Sequence, residues 1–342
     1  MMRLPDLGLL LIALSVLYLT VIACGVTGGV LLARYLARHD PMDEAQARVF
    51  GSFRPSFALR MYGHLLEVSI AAFDLVLRAL WLLGLLPAPE DPGSGTPIVM
   101  LPGYTENAGA LYWFARRLRR RGFRPFLIDF PSTFSPIDVN VAFLRQRIAA
   151  IRRETRCERV AIVAHSMGGV VARALLLSDP DHGVLTLIAL ASPFRGTHIA
   201  RLGAFMHLGE SVIDMSPASP FAHRFLPSAR ASAPIRVIIG EQENIVSPPW
   251  SCVLPDCEVH LLSVPVGHDA PLHLSESYDR LESWLLQDGV LRADNAVAKL
   301  QRRDQHGAHD LQHDQHHERG EVKAAHAAQE PSKRGAQGVG DL

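Results

Sequence analysis

Beyond about residue 95 the sequence predicts an α/β fold: a mostly parallel sheet with helices on both faces, preceded by N-terminal membrane and amphipathic helices. Three observations carry this. Short apolar runs alternate with helical stretches, which is how a parallel sheet with crossover helices reads in sequence. Those runs are continuously apolar, as strands covered on both faces are. Ahead of them, the stretch from Leu7 to Ala33 contains no charged residue.

That first stretch exceeds the ~20 residues a helix needs to cross the hydrocarbon core. Residues 1–35 are therefore expected to be a single-pass transmembrane anchor. A cleaved signal peptide fits less well, because its apolar region is usually ~7–15 residues and no small-residue cleavage site precedes a polar start here. Arg3 precedes the run and Arg34, Arg38, Arg48 and Arg54 follow it. The positive-inside tendency then leans toward a cytoplasmic catalytic domain, by a margin small enough to leave the side open. The preponderance of Arg over Lys suggests a GC-rich bacterial genome, and hence a bacterial inner membrane. Gly25 and Gly29 have small-xxx-small spacing, so a weak homodimer through the anchor is one expectation, although glycines are common in membrane helices.

Residues 36–95 hold an amphipathic segment and a linker. From Arg60 to Leu86 the polar residues Arg60, His64, Glu67, Asp74 and Arg78 recur at helical offsets and share one narrow stripe. The opposite face is apolar. Such a helix suits a membrane interface, packing on the anchor, a cover over an active-site mouth, or packing against a globular domain. A second full span is disfavoured by its charges. Residues 87–97 are punctuated by proline and glycine and read as linker.

The catalytic domain is expected over 96–288. Its strands fall at Ile98–Leu101, Pro125–Phe130, Val160–Ala164, Val184–Ala191, Ile235–Gly240 and Val259–Val264. Helices fall at Ala108–Arg121, Val139–Thr155, Gly169–Ser178 and Glu276–Gln287. In such sheets ligands bind beyond the carboxyl ends of the strands, so the residues just after each strand are where chemistry is sought.

Four of those positions are informative. After the third strand, Val160-Ala-Ile-Val-Ala-His-Ser-Met-Gly-Gly169 runs through a tight turn into a helix, with Ser166 at the turn; read alone, Ser166 could simply cap that helix. After the first strand comes Leu101-Pro-Gly-Tyr-Thr-Glu-Asn107. Val264-Pro-Val-Gly-His-Asp269 places His268 ahead of the final helix, where it can serve as the base that a serine hydroxyl needs. After the penultimate strand the loop reads Gly240-Glu-Gln-Glu-Asn-Ile-Val-Ser-Pro248. His273 is an alternative base. Glu241 and Asp269 are alternative acids to Glu243, and an incomplete triad is the competing view.

The serine turn resembles the nucleophile elbow of the α/β-hydrolase superfamily, G-x-S-x-G, with Ala164 in place of the first glycine as in some bacterial lipases. Leu190-Ala-Ser-Pro-Phe-Arg-Gly-Thr197 is similar to a segment of bacterial triacylglycerol lipases and esterases, with Phe194 where that branch often has histidine. The resemblance spans about residues 96–288 and implies chain order serine, acid, histidine: Ser166 as nucleophile, Glu243 as acid, His268 as base. It also implies an oxyanion hole from the amides of Tyr104 and Met167. The activity implied is cleavage of a lipid or acyl ester without a cofactor. An acyltransferase or thioesterase would use the same site, and a non-catalytic membrane scaffold would keep the fold without the chemistry.

Residues 197–233 interrupt the alternation with Phe205, Met206, Met215, Phe221 and Phe225 among prolines. They are expected to form a lid over an acyl pocket, or a small structural insertion. The tail, 289–342, carries His306, His309, His313, His316 and His317 among polar residues and is expected to be disordered.

Composition narrows the field further. At 342 residues and 48% hydrophobic, there is more apolar material than one core requires, consistent with one domain plus appendages. Lys plus Arg equals Asp plus Glu at 34 each, so no field favours nucleic acid. Cys24, Cys157, Cys252 and Cys257 show no zinc spacing, and no metal site is expected. Cys252 and Cys257 read as free thiols, with a small disulfide loop as the alternative.

Overall fold

The computed structural model describes residues 4–87, 95–225 and 228–291, with side chains from residue 14 onward. All of them belong to one compact unit, Met1–Arg292. The centre of the linker and the histidine-rich tail lie outside the described residues.

Three helices precede the sheet: α1 (Leu4–Ala37), α2 (Glu44–Phe50) and α3 (Phe57–Leu82). Helix α2 starts at a capping box in which Asp43 accepts from the Gln46 amide and the Gln46 side chain accepts from Asp43 N. Helix α3 begins three residues earlier than the polar stripe suggests, because the Ser56 hydroxyl caps the Leu59 amide at 3.2 Å.

The alternating part runs β1 (Pro97–Leu101), α4 (Tyr112–Arg120), β2 (Arg124–Leu127), α5 (Ile137–Thr155), β3 (Val160–His165), α6 (Met167–Ser178) and β4 (Val184–Leu190). It continues through the short helices α7 (Ile199–Phe205), α8 (Glu210–Asp214) and α9 (Pro220–Arg224) to β5 (Ile235–Ile239), β6 (Glu258–Leu261) and α10 (Ser275–Gln287). All six strands are parallel, in the order β2-β1-β3-β4-β5-β6. The interior strands β4 and β5 end one residue before their apolar runs do, whereas β2 and β6, each two residues shorter than its run, are the edges, where pairing on one side only leaves the ends free to turn away. The expected first helix starts as a 3-10 turn, Ala108–Leu111, before α4.

Every residue of β1 and β3 is buried. Val99, Leu101, Ile162, Ala164, Leu187 and Val237 face Leu144, Ile148 and Ile151 of α5 and Val171 and Leu175 of α6 in one cluster. The alternate residues Ile98, Met100, Ala161 and Val163 project from the other face. Burial of this kind stabilises by ~1.5–3 kcal/mol per large side chain, which fixes the strand ends that carry the loops described next.

Candidate active site

Strand order reverses at β1, since β2 lies on one side of it and β3 on the other. The crevice above β1 and β3 is therefore where a ligand site is expected, and the loop after β1 meets the turn after β3 there. Ser166 adopts φ 50° and ψ −122°, a conformation costing a non-glycine residue ~1–3 kcal/mol. Its amide is tied to the Leu190 carbonyl at 2.9 Å. The small residues behind it are required by close approach: a Cβ on Gly169 would fall 2.1 Å from the Ser192 hydroxyl.

The loop after β1 packs directly on this turn. A Cβ on Gly103 would come 2.8 Å from the Ser166 Cβ, so only glycine brings the two backbones this close. The Gly103 amide is already engaged, donating to Glu106 Oε2 at 2.6 Å. Tyr104 N donates to no described group, and Met167, as the first residue of α6, has no intrahelical acceptor for its amide. Two amides next to Ser166 are thus left for an external acceptor. The Tyr104 ring lies edge-on to Phe134 at 5.6 Å, and its hydroxyl donates to Leu208 O.

His268 follows β6, and its Nδ1 lies 3.0 and 3.2 Å from the Glu243 carboxylate oxygens. Both side chains are buried, and Glu243 also accepts from Val246 N at 3.2 Å. Burial alone would pull the His268 pKa down, but the Glu243 charge and hydrogen bond outweigh it and the net direction is up. The His268 ring lies 4.7 Å from that of His165, the neighbour of Ser166. The other candidate acids are occupied elsewhere. Glu241 pairs with Arg60 at 2.6 Å, and Asp269 lies with Glu106 and His165. His273 lies 3.5 Å from Asp74 and edge-on to Phe73.

Glu106, His165 and Asp269 offer three ligand atoms within 4.8 Å of one another, which invites a metal. The hydrogen bonds argue against one. His165 Nε2 donates to the His268 carbonyl at 3.0 Å, while Nδ1 faces Glu106 Oε2 at 2.9 Å. With both nitrogens donating, the ring is an imidazolium and has no lone pair to offer. Burial works against its charge, but Glu106 more than compensates, lifting the His165 pKa to about 9. Glu106 moves the other way, to about 2: burial raises it and His165 lowers it further. This pair clasps the loop after β1 to the loop that carries His268.

Helix α3 supplies residues whose part the sequence left open. Its Glu67 carboxylate accepts from Gly267 N (3.0 Å), Asp269 N (2.9 Å) and Ala270 N (3.1 Å), the amides flanking His268. Burial pushes its pKa up to about 8. Arg60 holds the acid loop through Glu241, and Arg78 donates to Thr105 O in the loop after β1. The polar stripe thus meets all three loops. Asn244 Oδ1 accepts from His268 N at 2.9 Å; its position one residue from Glu243 was the only sequence signal.

In the 197–233 segment, Met215 and Phe221 are buried in the main core and Phe225 packs against it, whereas Phe205 and Met206 are exposed. Phe194 lines a small cavity with Met215 and Phe221. All four cysteines are free.

A family model described as the alpha/beta hydrolase family matches residues 98–325. Residues of this chain are 28% identical over 106 positions to a cutinase, est2, of Thermobifida alba, covering 29% of this chain and 35% of that protein. They are 33% identical over 66 positions to lysosomal thioesterase PPT2-B of Xenopus laevis, covering 19% and 23%. The chain therefore spans about a third or less of the length of these relatives. Among solved structures, Aspergillus fumigatus lipase B aligns at TM-score 0.49 and 19% identity over 56% of this chain and 53% of that one. Bacillus licheniformis lipase BlEst2 aligns at 0.48 and 17% over 58% and 96%.

Proposed function

The chain belongs to the alpha/beta hydrolase family, and from that membership and the site geometry we propose that it is a membrane-associated serine hydrolase cleaving carboxylic esters of apolar acyl groups. The observation that carries the reading is the convergence at one switch point: a strained Ser166, two unengaged amides beside it, and a buried His268–Glu243 pair adjoining its neighbour His165.

In this reading Ser166 Oγ attacks the ester carbonyl while His268 Nε2 takes its proton. Glu243 holds Nδ1–H and stabilises the imidazolium that forms. The Tyr104 and Met167 amides receive the charge on the carbonyl oxygen, where one such donor contributes ~2.7–4 kcal/mol. His268 then returns the proton to the leaving alkoxide. Water, deprotonated by the same imidazole, hydrolyses the acyl-enzyme. Exposed Phe205 and Met206 in α7 and the turn after it, together with apolar α1, favour a substrate drawn from a lipid phase.

The test is hydrolysis of p-nitrophenyl esters of short and long acyl chains by detergent-solubilised protein, beside Ser166→Ala. Activity lost in the variant is the expected result, and activity shared by both forms or absent from both rejects the reading. The similarity to a thioesterase warrants an acyl thioester in the same panel.

A further inference from the structure

We propose that α1 and α3 form a monotopic platform lying in the plane of a lipid surface, and that α1 does not cross the bilayer. This rests on the membrane association proposed above and changes its geometry. By length and composition α1 could span, since Leu14–Ala37 has a mean hydropathy of 2.2. Its neighbours make that costly.

Helices α1 and α3 run antiparallel. The Tyr18 hydroxyl donates to Ala72 O at 2.8 Å, and Thr27 Oγ1 lies 2.9 Å from His64 Nε2, so nine residues forward on one helix match eight back on the other. Further along, α1 sits on the acid loop. A Cβ on Gly29 would be 2.5 Å from Asn244 O, and the Ser247 hydroxyl donates to Ala33 O. Protein therefore flanks α1 from residue 18 to residue 33, about 22 Å of its length.

A hydrocarbon core is about 30 Å thick. If α1 stood upright in it, α3 and the catalytic loops would be carried in alongside. Arg60, Glu67, Asp74 and Arg78 would then lie at membrane depth with their partners, where charges are rarely tolerated. Laid in the plane, the same pair satisfies both phases. The stripe of α3 faces the domain, while its opposite face exposes Tyr62, Leu65 (61%), Phe73 and Val76, and Phe57 and Leu82 (77%) are exposed at its two ends. On α1 the buried stripe is Val26, Val30, Ala33 and Ala37, and Leu17, Val21 and Leu31 are exposed around it. Phe205 of α7, a helix that contacts α1, is 82% exposed and extends this apolar surface. Exposed apolar side chains on helices packed beside a candidate span are chemically matched to acyl chains at a bilayer surface.

The full-length protein, with an N-terminal epitope tag, is added to preformed phosphatidylethanolamine–phosphatidylglycerol vesicles, leaving the catalytic domain outside. The expected result is co-flotation with the tag open to antibody before detergent is added. A tag that becomes accessible only after detergent establishes a span and overturns the proposal, as does failure to float. In a second arm, Leu65→Glu and Leu82→Glu, neither of which touches the catalytic loops, should each lower vesicle partitioning roughly tenfold, by loss of one buried leucine. Unchanged partitioning also overturns it. Neither readout depends on ester hydrolysis, so a failure here is distinct from a failure of the enzymatic reading.

Discussion

Glu67→Gln offers a sharp energetic test of how the candidate site is held. The wild-type carboxyl receives three amides, Gly267 and Ala270 on Oε2 and Asp269 on Oε1. A carboxyl keeps lone pairs on both oxygens in either protonation state, whereas an amide keeps them on one. Glutamine must therefore turn its NH2 toward at least one of these amides, and the smaller loss is to orphan Asp269 N. Leaving one buried donor without an acceptor costs ~1–3 kcal/mol. Glu67→Ala orphans all three, ~3–9 kcal/mol by the same count, a large part of a domain stability of ~5–15 kcal/mol. Urea unfolding measures both. Because the released amide, Asp269 N, directly follows His268, kcat/KM of the Gln variant should also fall, by up to ~100-fold for a 1 Å displacement. There is a pH signature as well. An acid whose folded pKa is raised to about 8 from 4.5 binds protons more tightly in the folded state, so its contribution to stability falls as pH rises across that window. The wild type should show this fall relative to Glu67→Gln. A Gln variant within 0.5 kcal/mol of wild type (about the error of the extrapolation) and equally active would refute the cradle.

Two further outcomes follow from the same geometry. Glu243→Gln should lower kcat/KM on the order of 10³-fold or more. It should also move the acidic limb of the pH profile to lower pH, because the carboxylate is what raises His268; a normal rate here with a lost rate in Asp269→Asn would reassign the acid. For the Glu106–His165 pair, the His165 contribution is complete below 6.5 and lost as pH rises through about 9, while that of Glu106 is complete above 4.5 and lost as pH falls toward 2. The Tm difference between wild type and His165→Gln should therefore be greatest between pH 4.5 and 6.5, and a difference that grows from pH 7 to 9 contradicts the ion pair.

How much of this could be read beforehand depends on the range of the interactions. The strands and the serine turn were legible because their signals are local: apolar runs of strand length, then small residues at a fixed offset from Ser166. The edge strands ended early because strand length there is set by pairing, which a run such as Pro125–Phe130 does not encode. Glu243 could be placed in its loop, but what distinguishes it from Glu241 is the presence of Arg60, 181 residues away along the chain. Glu106 was visible inside the Pro-Gly-Tyr loop, yet its partner is His165, and only the folded sheet brings the ends of β1 and β3 together.

Helix α3 shows why a correct pattern still left its meaning open. Periodicity placed Arg60, Glu67, Asp74 and Arg78 on one stripe, and hydropathy made the other face suited to lipid. The structure gives each face its own surroundings: the stripe meets the loops of the candidate site, and the opposite face is exposed. The partners of Glu67 lie 200 to 203 residues further along the chain, beyond any window in which sequence pairs can be recognised. Hydropathy measures the composition of α1 but not what lies beside it. With α3 alongside, a helix apolar enough to cross a membrane becomes one whose crossing would carry ion pairs into hydrocarbon. The same contacts place any force on the platform one helix away from the amides that hold His268.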